Sequence, residues 1–141
     1  MFSGCSSLTT APDLPATTLA NSCYYYMFSG CSSLTTAPRL PATTLAQSCY
    51  ESMFNGCTSL TTAPELPATT LAGGCYSGMF SGCSNLNTIK LVYTGNFEDA
   101  PYNTFNNWVQ GVASSGTFYY NGGDYATGAS AIPTGWSVSV W

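Results

Sequence analysis

Hydrophobic and polar residues recur along the first 86 residues with a period of 26 positions. Residues 1–26, 27–52 and 53–78 are three copies of one unit, and a fourth copy begins at Met79 and loses the pattern after Leu86. The first and second copies match at 22 of 26 positions, and the second and third copies match at 19 of 26. Such a period indicates a repeat array, in which each unit buries its apolar face against its neighbours.

The second half of each unit predicts a helix. Constant apolar residues occur there in pairs spaced four positions apart, which is typical of one broad helical stripe. From the end of the first unit into the start of the second, these pairs are Leu19 and Ala20, Cys23 and Tyr24, and Met27 and Phe28. The drifting columns between them are 21/47/73, 22/48/74, 25/51/77 and 26/52/78, expected on a solvated face. Thr17 or Thr18 is expected to cap this helix, and Gly30 to follow it in a left-handed conformation.

The first half of each unit, as in Cys31 to Pro41, contains Leu and Thr residues that are compatible with a strand, but its two prolines lack N–H donors, so only a short strand is expected. Strands stack about 4.8 Å apart, whereas helices need about 8 to 10 Å. Strands stacked on strands and helices on helices should therefore bend the array. The predicted fold is an α/β repeat solenoid, a short horseshoe with inner strands and outer helices, ending in a small α+β cap.

The MFSGCSSL core of the unit resembles the core of BspA-type leucine-rich repeats of Bacteroides-like surface proteins. The resemblance covers about 90 residues and is carried by Phe28, Gly30, Cys31 and Leu34 with their equivalents. Such repeats occur in cell-surface adhesins and in phage proteins. The resemblance therefore implies binding rather than catalysis, and it transfers no binding residue to this chain.

The pattern changes after the fourth copy, which predicts two regions: a solenoid over 1–91 and a capping segment over 92–141. Ile89 to Tyr93 predicts a strand that continues the last turn. A helix beginning at Asp99 is expected next, with its apolar residues at helical spacing. Those residues are Phe105, Trp108, Val109 and Val112. Residues 117–120 and 137–141 predict two short strands joined by a glycine-rich loop.

Charge and residue chemistry exclude several functions. The chain has two basic and six acidic residues, a net charge of −4 and no histidine. Nucleic-acid binding needs clustered Lys and Arg, so it is not expected. The absence of histidine removes the usual general base and metal ligand. The acids outside the repeats are Glu98, Asp99 and Asp124, and the first two adjoin the predicted helix start. We therefore predict no catalytic residue, no cofactor and no metal site.

The seven cysteines form two columns with alternating spacings of 18 and 8 residues. A disulfide ladder within one column is excluded, because helix packing would hold the Cα atoms too far apart. Disulfides between cysteines of different columns remain possible. The favoured interpretation is that all seven cysteines are buried free thiols. The columns are Cys5, Cys31, Cys57, Cys83 and Cys23, Cys49, Cys75.

Two groups of residues are candidate partner contacts. Asp13, Arg39 and Glu65 alternate in sign within an otherwise constant stretch, and they form either surface ion pairs or a variable part of a binding face. Tyr25 and Tyr26, replaced by Glu51 and Ser52 in the next unit, lie on the drifting positions. Aromatic residues are enriched where proteins meet partners, although tolerance of solvent explains the same drift.

These observations predict a non-enzymatic, extracellular or cell-surface module for recognition or adhesion. Its partner would be a protein or glycan on a host or neighbouring cell, bound through the solenoid surface. The alternatives are a phage-encoded adhesion protein and a purely structural spacer. No apolar run is long enough to cross a bilayer. The chain resembles a piece of a longer array, so an export signal is expected upstream, and the first turn is expected to fray or to associate with another copy.

Overall fold

The 26-residue units form successive coils that stack with equivalent residues above one another. A computed structural model describes all 141 residues of the chain. One ring column contains Phe2, Phe28, Phe54 and Phe80, whose neighbouring centroids lie 5.5 to 5.7 Å apart in nearly parallel planes. A second column contains Tyr24, Tyr50 and Tyr76, spaced 6.0 and 6.2 Å apart. The core is thus built largely from aromatic ladders, with the cysteine, leucine and methionine columns around them.

The predicted outer helices are absent, and the structure contains no helix anywhere. Residues 21–30, 47–56, 73–82 and 102–111 instead form runs of consecutive turns, here named tandem-turn segments. Alternate amides bond within the segment, as Tyr25 N–H does to the carbonyl of Ser22. The other amides bond to the next coil, as Tyr24 N–H does to the carbonyl of Cys49 at 3.0 Å. About half of the donors in each of the first three segments are therefore paired between coils rather than along a helix.

Every fourth residue of a tandem-turn segment has a left-handed backbone. In the first segment Ser22, Tyr26 and Gly30 have φ of 57°, 55° and 74°. Gly30 therefore has the left-handed conformation expected from the sequence, although no helix precedes it. The helix prediction failed because pairs spaced four residues apart fit a turn repeat of exactly that period as well as a helix of 3.6 residues per turn. In the third unit the drift to Gly74 and Gly78 marks two of these left-handed positions, and the third is the constant glycine column that includes Gly82.

Three short parallel strands form one sheet in the order β1, β2, β3. They are β1 (Thr88–Leu91), β2 (Thr117–Tyr120) and β3 (Ser137–Ser139). Thr88 pairs with Thr117, which pairs with Ser137. Within the repeats the pairing is reduced to isolated bridges such as Thr10 with Thr36 and Thr62 with Thr88. The prolines that flank these threonines limit the ladder, because they have no N–H to donate.

The predicted α/β horseshoe is therefore wrong, and the molecule is mostly irregular coil around a large aromatic core with three short parallel strands. The predicted bend required wide helix spacing on the outside of the array. In the structure the neighbouring rings lie 5.5 to 6.2 Å apart, and backbone hydrogen bonds join the coils through the tandem-turn segments as well. The physical basis for that bend is thus missing.

The predicted cap helix is also wrong, because residues 102–111 form a fourth tandem-turn segment. Asn103, Asn107 and Gly111 have positive φ and lie 29 residues after Gly74, Gly78 and Gly82. Phe80 N–H donates to the carbonyl of Trp108 at 2.8 Å, as earlier coils bond to one another. Trp108 and Phe105 thus extend the aromatic core rather than line a helical stripe. One cluster of 34 buried residues runs from Leu14 to Trp136, and the division at residue 91 stays a prediction.

Candidate functional site

The drifting columns lie together on the tandem-turn segments, and their residues define what we name the variable face. At the first coil it presents Tyr25 and Tyr26, which are 48% and 40% exposed. Their rings meet edge to face with centroids 4.4 Å apart, so each holds the other in place. The pKa of Tyr25 is raised first by desolvation, then by its neighbour Tyr26 and then by the charge of Glu51 on the next coil. The structure therefore brings these three predicted residues into one neighbourhood.

A groove of 250 Å³ lies on the variable face between the second and fourth tandem-turn segments. Its polar walls and small-residue floor come from Gln47, Ser48, Glu51, Gly73, Gly74, Ser77, Tyr102 and Asn103. Gly74 keeps the groove open, because a Cβ there would lie 3.0 Å from the hydroxyl of Ser48. Drift to glycine in the third unit thus creates a concave surface.

Tyr102 is a site residue that the sequence interpretation missed. It is 85% exposed, and its carbonyl accepts the N–H of Gly74 at 2.9 Å, which fixes the position of its backbone. It occupies the column of Asn21, Gln47 and Gly73, but the spacing of 29 residues hides this from a search for a period of 26. The available signal was the pair of asparagines, Asn103 and Asn107, followed by Gly111 at four-residue spacing. Asparagine and glycine are the residues that tolerate a left-handed backbone.

The alternating charges lie on a different segment, within the proline-rich stretches around residues 12–15, 38–41 and 64–67. Asp13 and Arg39 line one shallow cavity of 300 Å³, and Arg39 and Glu65 line another of 370 Å³. These three residues form no ion pair with one another. The one salt bridge in the chain joins Glu65 to Lys90 at 3.5 Å, a partner that the sequence interpretation did not name. Lys90 also lies 4.7 Å from the ring centre of the exposed Trp141.

The acids outside the repeats organise loops. The two carboxylate oxygens of Asp124 accept the N–H groups of Phe97 at 2.8 Å and Ala126 at 3.0 Å. Asp99 accepts a hydrogen bond from the side-chain amide of Asn96 at 2.7 Å. No three side chains of the kinds that bind metals come together in the structure.

All seven cysteines are free in the structure. The thiols of Cys31, Cys57 and Cys83 donate to the carbonyls of Phe2, Phe28 and Phe54 at 3.0, 3.2 and 3.0 Å. Burial raises the pKa of Cys49 and Cys83 to about 12, so these groups stay protonated thiols at neutral pH. A thiol is a poor nucleophile, so the five buried cysteines pack the core rather than perform chemistry, whereas Cys5 and Cys23 are exposed and do not fit the expectation of seven buried thiols.

Comparison with protein families, with curated proteins and with solved structures finds no match for this chain. No helix of the structure has the length and apolar character that a membrane span requires. The candidate residues on the variable face and on the charged stretches therefore stay predictions, argued from their geometry alone.

Proposed function

We propose that this chain is a non-enzymatic recognition module that binds a protein or glycan partner at a cell surface. The observation that carries the proposal is that most of the residue variation among the near-identical units lies on the tandem-turn segments, where it includes the exposed Tyr25 and Tyr26. The constant apolar columns pack into the aromatic core, while Tyr25 and Tyr102 are exposed at different coils and Glu51 is half-buried. A constant framework with variable exposed side chains is how repeat proteins present binding surfaces.

The exposed aromatic pair supports the proposal on energetic grounds. Tyr25 and Tyr26 expose large apolar rings beside one another, whereas other units place small or acidic residues at these positions. Clustered exposed apolar surface on a soluble protein typically marks a contact with a partner. Tyrosine combines a rigid ring with a hydroxyl, which suits it to interfaces.

The repeat itself supplies matched variants to test the proposal. Tyr25→Glu with Tyr26→Ser gives the first unit the residues of the second, which already adopts the same backbone, and the fold should survive. Arg39→Glu places the residue of the third unit in the second and changes only the charged stretch. Each purified chain is applied to arrays of cell-surface glycans and extracellular proteins.

We expect the unmodified chain to bind a component of these arrays, the Tyr25/Tyr26 variant to lose about tenfold in affinity, and Arg39→Glu to bind unchanged. The opposite ranking would move the site to the charged stretch. An array without any bound component would contradict recognition and favour a structural spacer.

A further inference from the structure

A second and larger cleft lies beside the variable face, where the fourth tandem-turn segment meets the loop over residues 124–131. We name it the end cleft. It measures 760 Å³, within the usual range for small-molecule sites. Buried Phe97 and Phe105 lie at its base, and its rim is polar and exposed. Tyr102 and Asn103 line both this cleft and the groove on the variable face, so the two depressions adjoin.

We infer that the end cleft binds a neutral oligosaccharide, with the ring of Tyr102 stacking against a sugar face. The inference rests on the proposed recognition function and names its ligand class. Sugar rings pair apolar C–H faces with hydroxyl rims, so their sites need an exposed aromatic ring beside hydrogen-bonding side chains. Tyr102 supplies the ring, and its 85% exposure leaves a face free for contact. Its backbone is held by the hydrogen bond from Gly74.

The rim supplies uncharged hydrogen-bonding groups. The side-chain amides of Asn103 and Asn106 and the hydroxyl of Thr127 line the cleft and have no hydrogen-bond partner within the chain. Ser130 is also on the rim, where its hydroxyl accepts the N–H of Asn107 at 2.9 Å. Amides and hydroxyls both donate and accept, which matches the mixed hydrogen bonding of sugar hydroxyls.

Charge narrows the ligand class. The end cleft contains two acidic residues, Glu98 and Asp124, and no basic one. Both basic side chains of the protein, Arg39 and Lys90, lie elsewhere. A phosphorylated, sulfated or otherwise anionic ligand would meet like charge without a compensating cation. The carboxylate of Asp124 is already engaged by two backbone N–H groups, which leaves it a structural part of the wall.

The test applies the full chain to an array of neutral oligosaccharides that includes glucans, galactans and mannans. Isothermal titration with the strongest binder then compares three chains. Tyr102→Ala removes the stacking ring. Tyr125→Ala removes a tyrosine that is 59% exposed in the same region but does not line the cleft, and it serves as the matched control. Thermal unfolding of each chain verifies that the substitution at an exposed side chain leaves the fold intact.

We expect Tyr102→Ala to weaken binding about tenfold and Tyr125→Ala to change it less than twofold. Unchanged affinity in Tyr102→Ala would overturn the inference, and so would loss of affinity in Tyr125→Ala alone. If the chain binds a protein on the broader arrays but no neutral sugar, the inference fails while the recognition function stands. If it binds nothing on either array, the recognition function fails as well.

Discussion

The ring of Phe54 lies almost parallel to the ring of Phe28, with their centroids 5.7 Å apart although the two residues are 26 positions apart in sequence. The same ring meets Phe80 on its other side at 5.7 Å. Each coil thus closes the apolar surface of its neighbours, and no coil has a complete core of its own. This dependence on neighbours sets which substitutions the array tolerates.

Phe54→Ala should lower the free energy of unfolding by about 3 to 5 kcal/mol, because it removes a fully buried ring from the middle of the ladder. Phe2→Ala is the matched control in the same column, since Phe2 is only partly buried and has one stacked neighbour. Phe2→Ala should therefore lower the free energy of unfolding clearly less than Phe54→Ala does. Denaturant unfolding of both variants measures the difference, and equal losses would contradict the stacking of coils.

Gly78→Ala tests the tandem-turn conformation, because the substitution should lower the free energy of unfolding here but would raise it in a helix. In a helix interior, replacing glycine by alanine stabilises by about 1 kcal/mol. Here Gly78 has φ of 59°, and a Cβ would lie 2.9 Å from the hydroxyl of Ser52. We therefore expect a loss of about 1 to 2 kcal/mol instead.

Gly123→Ala is the control for that substitution, because a Cβ at Gly123 meets nothing within 4 Å and its backbone is not left-handed. Its stability should change by less than about 0.5 kcal/mol. A stabilised Gly78→Ala chain, or a circular dichroism spectrum with the double minimum of an α-helix, would restore the helical interpretation.

Equivalence among the repeated positions could be predicted from the sequence, but the backbone conformation could not. Comparison of copies identified Phe28, Phe54 and their partners as constant positions, and the structure stacks them. A pair of apolar residues every four positions fits both a helix and a repeat of four-residue turns, because three pairs are too few to separate periods of 3.6 and 4.0. Alternate amides bond to the next coil, and because these hydrogen bonds are long-range they do not affect the local spacing of apolar residues in the sequence.

The candidate site was predictable where the period of 26 holds. Drift among the copies located Tyr25, Tyr26 and Glu51, which the structure places on one face. Tyr102 was not predicted as a site residue because three extra residues precede the fourth tandem-turn segment, and because the spacing of Phe105, Trp108 and Val109 also suits a helix. The salt bridge of Lys90 with Glu65 was not predicted because it depends on the register of neighbouring coils.

Tyr76→Phe should stabilise the protein. The hydroxyl of Tyr76 is buried without a hydrogen-bond partner, and the equivalent position of the fourth tandem-turn segment already carries Phe105. Removing an unsatisfied buried hydroxyl relieves its desolvation cost, so we expect a gain of about 1 kcal/mol in denaturant unfolding. Tyr120→Phe is the control, because the Tyr120 hydroxyl donates to the carbonyl of Gly95 at 2.9 Å and its removal should cost about 1 kcal/mol. A loss in both variants would show that the Tyr76 hydroxyl has a partner after all.

The buried thiols should make the fold sensitive to alkaline pH. Burial raises the pKa of Cys83 from its usual 9.0 to about 12, so between these values the unfolded chain has released a proton that the folded chain keeps. The free energy of unfolding therefore falls as pH rises through this window, by about 1.4 kcal/mol per pH unit for one such thiol.

Cys83→Ala should accordingly show a shallower decline in stability between pH 9 and 12 than the unmodified chain. The comparison concerns the slope with pH, so the cavity that alanine leaves, which lowers stability at every pH, does not affect it. Leu60→Ala is the control, because it leaves a cavity at a fully buried position without removing a thiol and should leave the slope unchanged. Denaturant unfolding at several pH values measures all three chains. Identical slopes for the Cys83→Ala and Leu60→Ala chains would show that Cys83 ionises as readily in the folded protein as in the unfolded chain, and would contradict its burial between stacked coils.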